Sequence, residues 1–200
     1  MTWAILIYKI PSEPSRLRTA VWRELKRLGA LYLQQAVCIL PARADLQEEL
    51  RKLKARIQSF GGEAILLEEV SLSPADEAAI QEDFRRLRDK EYEEFIEQNQ
   101  AFHREIAKEI ERMNFSSEEV EEEEEEFQKL VQWLQKIQAR DWFSASLREE
   151  AEKALAKSRQ LLEDFTQRVL EAVGEEDKKA GSHSFPGHPA RLTTDQPQGR

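Results

Sequence analysis

Apolar residues open the chain in a nearly unbroken run from Trp3 to Ile10 that is rich in β-formers. Such a run predicts a central strand that is covered on both faces. From about Pro14 to Leu28 the apolar residues instead recur every three or four positions, which predicts an amphipathic helix. Gly29 follows as the expected C-cap of that helix.

Short strands and a second helix come next. The stretches Leu31–Leu33 and Val37–Leu40 predict either two short strands or one bent strand around the glutamine pair between them. The second helix is marked by apolar residues spaced four and three apart, namely Leu46, Leu50, Leu53, Ile57 and Phe60. A strand at Ala64–Leu67 completes the order β-α-β-β-α-β. This order predicts an α+β protein with a ferredoxin-like domain over residues 1–73.

Beyond Ser73 the pattern changes to three long stretches that each carry one apolar stripe. They predict an all-α antiparallel region over residues 74–173, a helical hairpin or a three-helix arrangement with coiled-coil-like contacts. Alternatively, part of the first long helix covers the open face of the sheet. Ser117 is the expected N-cap of the second long helix. Gly, Ser, Pro and charged residues dominate residues 174–200, which predicts a disordered tail.

Charge is divided unevenly between these regions. Residues 1–72 hold 11 Lys or Arg and 8 Asp or Glu, whereas residues 73–174 hold 15 and 27. The whole chain has a net charge of −9. A polyanionic partner is therefore expected to meet the N-terminal region, because the acidic region repels it.

Other features of the composition favour the cytoplasm. No apolar run approaches the length of a membrane span, and no signal-peptide pattern opens the chain. The single cysteine, Cys38, excludes an intrachain disulfide and lies in an apolar run, so we expect it to be buried.

The first helix carries the best candidate functional residues. At about 100° per residue, Arg16, Arg23 and Arg27 form one narrow stripe opposite the apolar face. Arg18 lies on the same helix, and these four arginines are our candidate DNA- or anion-binding residues. The alternative is an ordinary solvated face. Trp22 is interpreted as a residue that packs in the core or at its edge.

Catalytic motifs are missing from the sequence. There is no glycine-rich phosphate loop, no CxxC pair and no HExxH motif. The acidic run Glu121–Glu126 is interpreted as a solvated helix start, and His103 lacks the glutamate that a di-iron helix-bundle site would require. We therefore expect no enzymatic activity, no metal site and no cofactor.

Several N-terminal segments resemble one family. Trp3–Tyr8, Pro11–Arg18, Val21-Trp22-Arg23 and Leu33-Gln34 are similar to the N-terminal domain of the ChrB proteins. The resemblance implies a chromate-responsive transcriptional regulator that binds duplex DNA or the chromate oxyanion. The chain also resembles, more distantly, the central domain of PaaX-type repressors and the small CRISPR-associated nucleases. Those nucleases carry an Asp at the end of the first strand, where this chain has Lys9.

Two functions compete at this point. The first is a ChrB-like regulator that acts through the basic surface of the N-terminal domain. The second is a protein-interaction or oligomerisation module without DNA binding, which the overall acidity favours. Under either function we expect a homo-oligomer.

Overall fold

The computed structural model describes residues 1–11 and 15–181, and its first part is a four-stranded antiparallel sheet. The strands β1 (Trp3–Lys9), β2 (Leu31–Gln34), β3 (Val37–Pro41) and β4 (Glu63–Val70) lie in the order β2-β3-β1-β4. The helices α1 (Ser15–Arg27) and α2 (Ala44–Ser59) connect β1 to β2 and β3 to β4. This is the ferredoxin-like arrangement, so the predicted α+β fold is confirmed.

Tight turns separate the elements. β2 and β3 are two strands rather than one bent strand, because the chain reverses at Ala36, which has a left-handed φ of 63°. Gly29 also has a positive φ, of 76°, and ends α1 as predicted. The amide of Ala30 donates to the carbonyl of Leu25 at 2.9 Å, which satisfies an end carbonyl of that helix.

The inner face of the sheet packs on α1 and α2. Alternate strand residues point to this side, as the pleat requires. Helix residues spaced three and four apart meet them. The buried members of this core are Ala4, Leu6, Val21, Leu25, Leu28, Ala30, Cys38, Leu40, Leu46, Leu50, Leu53, Ile57 and Ala64.

Three long helices follow the sheet: α3 (Pro74–Glu111), α4 (Ser117–Gln138) and α5 (Arg148–Gly181). They bury their apolar stripes against one another in a second core. The N-cap of α4 is Ser116, whose hydroxyl accepts from the Glu119 amide at 3.2 Å, so the choice of Ser117 was wrong by one residue. The predicted tail began at residue 174, but α5 continues to Gly181, and residues 182–200 lie outside the described residues.

The first long helix covers part of the outer face of the sheet, which was the alternative left open by the sequence. Phe84 of α3 stacks on Trp3 of β1 with 5.8 Å between ring centroids, and both side chains are fully buried. Phe143, from the loop after α4, contacts both rings. This aromatic cluster joins the sheet to the helical region.

Arg140 forms a second link between the two regions. Its guanidinium donates to the carbonyl of Lys26 at 3.0 Å, to the carbonyl of Lys136 at 2.9 Å and to Glu91 Oε2 at 3.0 Å. Its side chain lies against Gly29, where an added Cβ would come within 3.1 Å of it. The end of α1 is therefore held in place by α3 and α4.

Candidate nucleic-acid and anion interface

α1 presents a basic half to solvent. Val21, Leu25 and other apolar residues of this helix point into the inner core, so the opposite side must face water. Arg16, Arg18 and Arg23 are exposed, and no ion pair within residues 1–11 and 15–181 involves them. Their positive charges are therefore available to an external anion.

Arg27 differs from the other three candidates. It is exposed, but its Nη2 donates to Glu24 Oε1 at 2.5 Å and to Glu49 Oε2 at 2.9 Å. The hydrogen bond with Glu24 raises the pKa of Arg27. Because two carboxylates compete with any incoming anion, Arg27 mainly connects α1 to α2.

Two of the four basic residues of α2 are paired with neighbouring carboxylates. Arg51 makes a two-point contact with Glu68, with distances of 2.6 and 3.3 Å. Lys52 pairs with Glu49 at 3.0 Å. These pairs neutralise two of the four cations of α2, whereas no salt bridge within the described residues involves Lys54 or Arg56.

Trp22, which the sequence assigned to core or edge packing, does not lie in the core. Its side chain is 50% exposed on the basic side of α1, and Lys26 Nζ lies 5.4 Å from its ring centroid. A signal was present, because Trp22 is one position past the apolar Val21 and four from both Arg18 and Lys26. That spacing places it beside the cations rather than in the core.

A cleft of about 470 Å³ lies between α1 and the β2–β3 turn, and Arg18 and Trp22 line it together with Tyr8 and Gln35. An adjoining cleft of about 380 Å³ shares Trp22 and Tyr8 and includes Tyr32. The interface therefore combines guanidinium groups with an exposed indole face. This combination suits nucleic acid, because guanidinium groups bind phosphate and an indole can stack on a base.

Two tyrosine hydroxyls complete the cleft. Tyr8 Oη and Tyr32 Oη are 3.1 Å apart and form a hydrogen bond. Burial raises the pKa of both phenols, so both remain protonated at neutral pH. They add hydrogen-bonding capacity to the cleft without adding negative charge.

A buried polar cluster lies where the sheet region meets the long helices. Its charged side chains are shielded from solvent, unlike the exposed arginines of α1. Arg88 is 3% exposed, and its Nη1 lies 3.0 Å from Glu91 Oε2, the oxygen that also accepts from Arg140. Asp141, also buried, accepts from the Tyr92 hydroxyl at 3.1 Å. Asp141 and Glu91 therefore have internal donors, whereas Arg88 Nε and Nη1 are buried without a hydrogen-bond partner in the described residues.

The other sequence-level candidates are placed as follows. Cys38 is buried as expected, and burial raises the pKa of its thiol to about 12. Glu123 is only 6% exposed, so the solvated interpretation of the acidic run is wrong at that residue.

In the described part of the chain, no group of three His, Cys, Asp or Glu residues could hold a metal ion. Within the same part, no helix is long and apolar enough to cross a membrane.

Comparison with known families now adds to this geometry. The family model described as "Protein ChrB, N-terminal" matches residues 18–176. The chain belongs to the ChrB N-terminal family. Membership makes it a chromate-resistance-related protein. No curated protein matches the chain.

The ChrB match begins within α1 and includes β2, β3, β4, α3, α4 and most of α5, whereas β1 precedes it. It includes Arg18, Arg23 and Trp22, whereas Arg16 lies just before it. The exposed basic half of α1 therefore belongs mostly to the segment that defines the family.

Proposed function

We propose that this ChrB-family chain regulates chromate resistance by binding nucleic acid, with duplex DNA as the first candidate, through the exposed half of α1. One observation carries the proposal: Arg16, Arg18 and Arg23 face solvent without acidic partners in the described chain, beside an exposed Trp22. Unpaired guanidinium groups bind phosphate, and neutralising phosphates supplies most of the affinity of such complexes.

The negative charge of the long helices also favours binding of a polyanion at α1. Residues 73–174 hold 27 Asp or Glu against 15 Lys or Arg, so this region repels a phosphate backbone. The field of the protein therefore directs a polyanion towards α1 and away from α3–α5.

Chromate itself is a second candidate ligand for this surface, because it is a divalent oxyanion. The arginines are exposed and screened by solvent, so a small anion gains less from them than a polymer that contacts several at once. We therefore treat chromate as a competitor or effector to be tested on the DNA complex.

The test is fluorescence anisotropy with labelled DNA from the region upstream of the gene, titrated at several salt concentrations, with and without chromate. One variant carries Arg16→Ala, Arg18→Ala and Arg23→Ala. The control carries Arg86→Ala, Lys129→Ala and Lys153→Ala, which remove the same charge from exposed positions on α3–α5. Trp22→Ala is tested on single-stranded and duplex DNA to determine whether the indole of Trp22 stacks on a base.

The α1 triple variant should lose affinity by at least about tenfold and flatten the salt dependence by about 2.7 in its logarithmic slope. The control should lose far less affinity than the α1 variant, because its cations lie on α3–α5 away from the proposed interface and the added repulsion of a more acidic region is screened by salt. Equal binding by both triple variants would show that α1 is not the interface.

An interaction module without DNA binding is the second candidate function. The net charge of −9 favours it, and so does an exposed apolar area on the outer face of the sheet.

A further inference from the structure

The buried carboxylate of Glu123 lies in a small cleft between α3 and α4. Its side chain is only 6% exposed, and a charge that is buried this deeply is expected to have a partner. No hydrogen bond and no ion pair among residues 1–11 and 15–181 involves it. Its oxygens are not completely enclosed, so they can be reached from the cleft.

A second buried glutamate shows how this protein satisfies such a group elsewhere. Glu109 of α3 is 5% exposed, and it accepts hydrogen bonds from Arg112 at 3.2 Å and from Asn114 at 2.7 Å. Glu123 has no such donors within the described residues. A cationic donor from outside the chain would supply both the hydrogen bond and the opposite charge that this carboxylate lacks.

Two further carboxylates line the cleft, which has a volume of about 260 Å³. They belong to Glu105 of α3 and Glu126 of α4. Each has one exposed lysine partner, Lys108 at 2.8 Å and Lys129 at 2.5 Å. Exposed pairs of this kind contribute little free energy, so Glu105 and Glu126 remain available to a second cation that enters beside Glu123.

The rest of the lining indicates which class of cation fits. In the described part of the chain no group of three His, Cys, Asp or Glu residues could hold a metal ion. Phe102 and Leu130 supply apolar surface that suits methylene groups, and Gln98 adds an amide. Carboxylates three residues apart on a helix are separated by about 5–6 Å, which matches ammonium groups joined by a short methylene chain. An alkylammonium ion with more than one charge therefore fits both the acidic and the apolar parts of the cleft.

We propose that this cleft binds a linear polyamine, with one ammonium group at the Glu123 carboxylate and the methylene chain along Phe102 and Leu130. A second ammonium group reaches Glu105 or Glu126. Binding offsets the buried charge and so stabilises the packing of α4 on α3. The proposal does not depend on whether α1 binds DNA, and its test contains no nucleic acid.

The affinity should depend on pH with a definite sign. Burial raises the pKa of Glu123 to about 7, and repulsion from Glu105, Glu119, Glu109 and Glu126 acts in the same direction. The cations paired with members of this group are Lys108, Arg112 and Lys129. No described residue of α5 lines the cleft.

The carboxyl group of Glu123 must lose its proton before it can pair with an ammonium ion, whereas a primary amine stays protonated up to about pH 10. From pH 8 to pH 6 the ionised fraction of a group with this pKa falls about tenfold, so the affinity should fall by the same factor.

Isothermal titration calorimetry of the full chain with spermidine tests the site, in physiological salt that screens exposed charges. Wild type should bind spermidine in a one-to-one complex at pH 8 and about tenfold more weakly at pH 6. Glu123→Gln should weaken binding at pH 8 by at least about tenfold and remove most of the difference between the two pH values. Glu122→Gln removes the same charge from an exposed neighbour and should stay within about twofold of wild type. Circular dichroism checks that both variants fold.

Two other cations separate a polyamine site from a general attraction of positive charge. Tetraethylammonium has no N–H group to donate, and magnesium is a small inorganic ion, so neither should displace spermidine at an equal concentration. Absence of saturable spermidine binding at pH 8, or equal weakening by Glu123→Gln and Glu122→Gln, overturns the proposal. Displacement of spermidine by magnesium that requires Glu123 overturns it as well, because the site would then select an inorganic cation.

Discussion

Glu123 offers a direct test of how the acidic helices are packed. This carboxyl group is 6% exposed, lies on α4 and faces α3 in a small cleft with Phe102 and Glu105. Burial raises its pKa to about 7, and repulsion from Glu105 and Glu119, with smaller effects of Glu109 and Glu126, acts in the same direction. No ion pair in the described residues neutralises it.

The sign of the pH effect follows from the two pKa values. The unfolded chain loses this proton near the ordinary value of 4.5, whereas the folded protein keeps it until about 7. Between these values the folded state binds more protons, so raising the pH lowers the free energy of unfolding. A shift of this size corresponds to a loss of about 3 kcal/mol, which is complete above pH 7.

Glu123→Gln keeps the shape of the side chain and removes the charge. We expect this variant to be more stable than wild type by about 2–3 kcal/mol at pH 8 and almost equal to it near pH 4.5. The control is Glu122→Gln, which removes the same charge from an exposed neighbour in the same run. Urea denaturation followed by circular dichroism measures both.

The pH profile of the difference is the decisive readout. If Glu123 is buried as described, Glu123→Gln raises the free energy of unfolding only at high pH. Glu122→Gln then changes it little and with a weaker dependence on pH. Parallel profiles in the two variants would mean that Glu123 is as solvated as its neighbours and that this end of α4 does not pack on α3 as described.

Two further substitutions test how the sheet is joined to the helices, by urea denaturation. Phe84→Ala removes a fully buried ring from the contact with Trp3 and should lower the free energy of unfolding by about 3–5 kcal/mol, whereas Phe60→Ala, at a 43% exposed ring, should change it far less. A small loss for Phe84→Ala would contradict α3 packing on the sheet. Arg140→Ala removes three hydrogen bonds at a side chain that is 16% exposed and should cost about 2–4 kcal/mol. The exposed i,i+3 ion pair lost in Arg86→Ala should contribute under about 1 kcal/mol, and equal losses would contradict the link at Arg140.

Local sequence was sufficient for most of the fold. A run of β-formers, the spacing of leucines in α2 and the glycine after α1 each specify a conformation through nearby contacts. The order of those elements then leaves few ways to build one sheet, so the ferredoxin-like arrangement could be predicted. The exposure of Arg16 and Arg23 followed equally well, because the apolar stripe of α1 fixes which side faces water.

The candidate site was only partly predictable, because it depends on contacts between residues that are far apart in the chain. Arg27 is neutralised by Glu49, 22 positions away on another helix, and no periodicity of α1 contains that information. The exposure of Trp22 depends on where the β2–β3 turn ends, and a tryptophan is by default expected to be buried.

The sequence by itself therefore determined the elements, their order, the basic side of α1 and the likeness to ChrB, because these depend on residues close together in the chain. Only the tertiary structure decided that one glutamate of an acidic run is buried, and that α3 covers half of the outer sheet face and leaves Ile7 and Ile65 of the other half exposed. These outcomes depend on how far one helix extends across a surface built from distant segments, and that distance is set by packing.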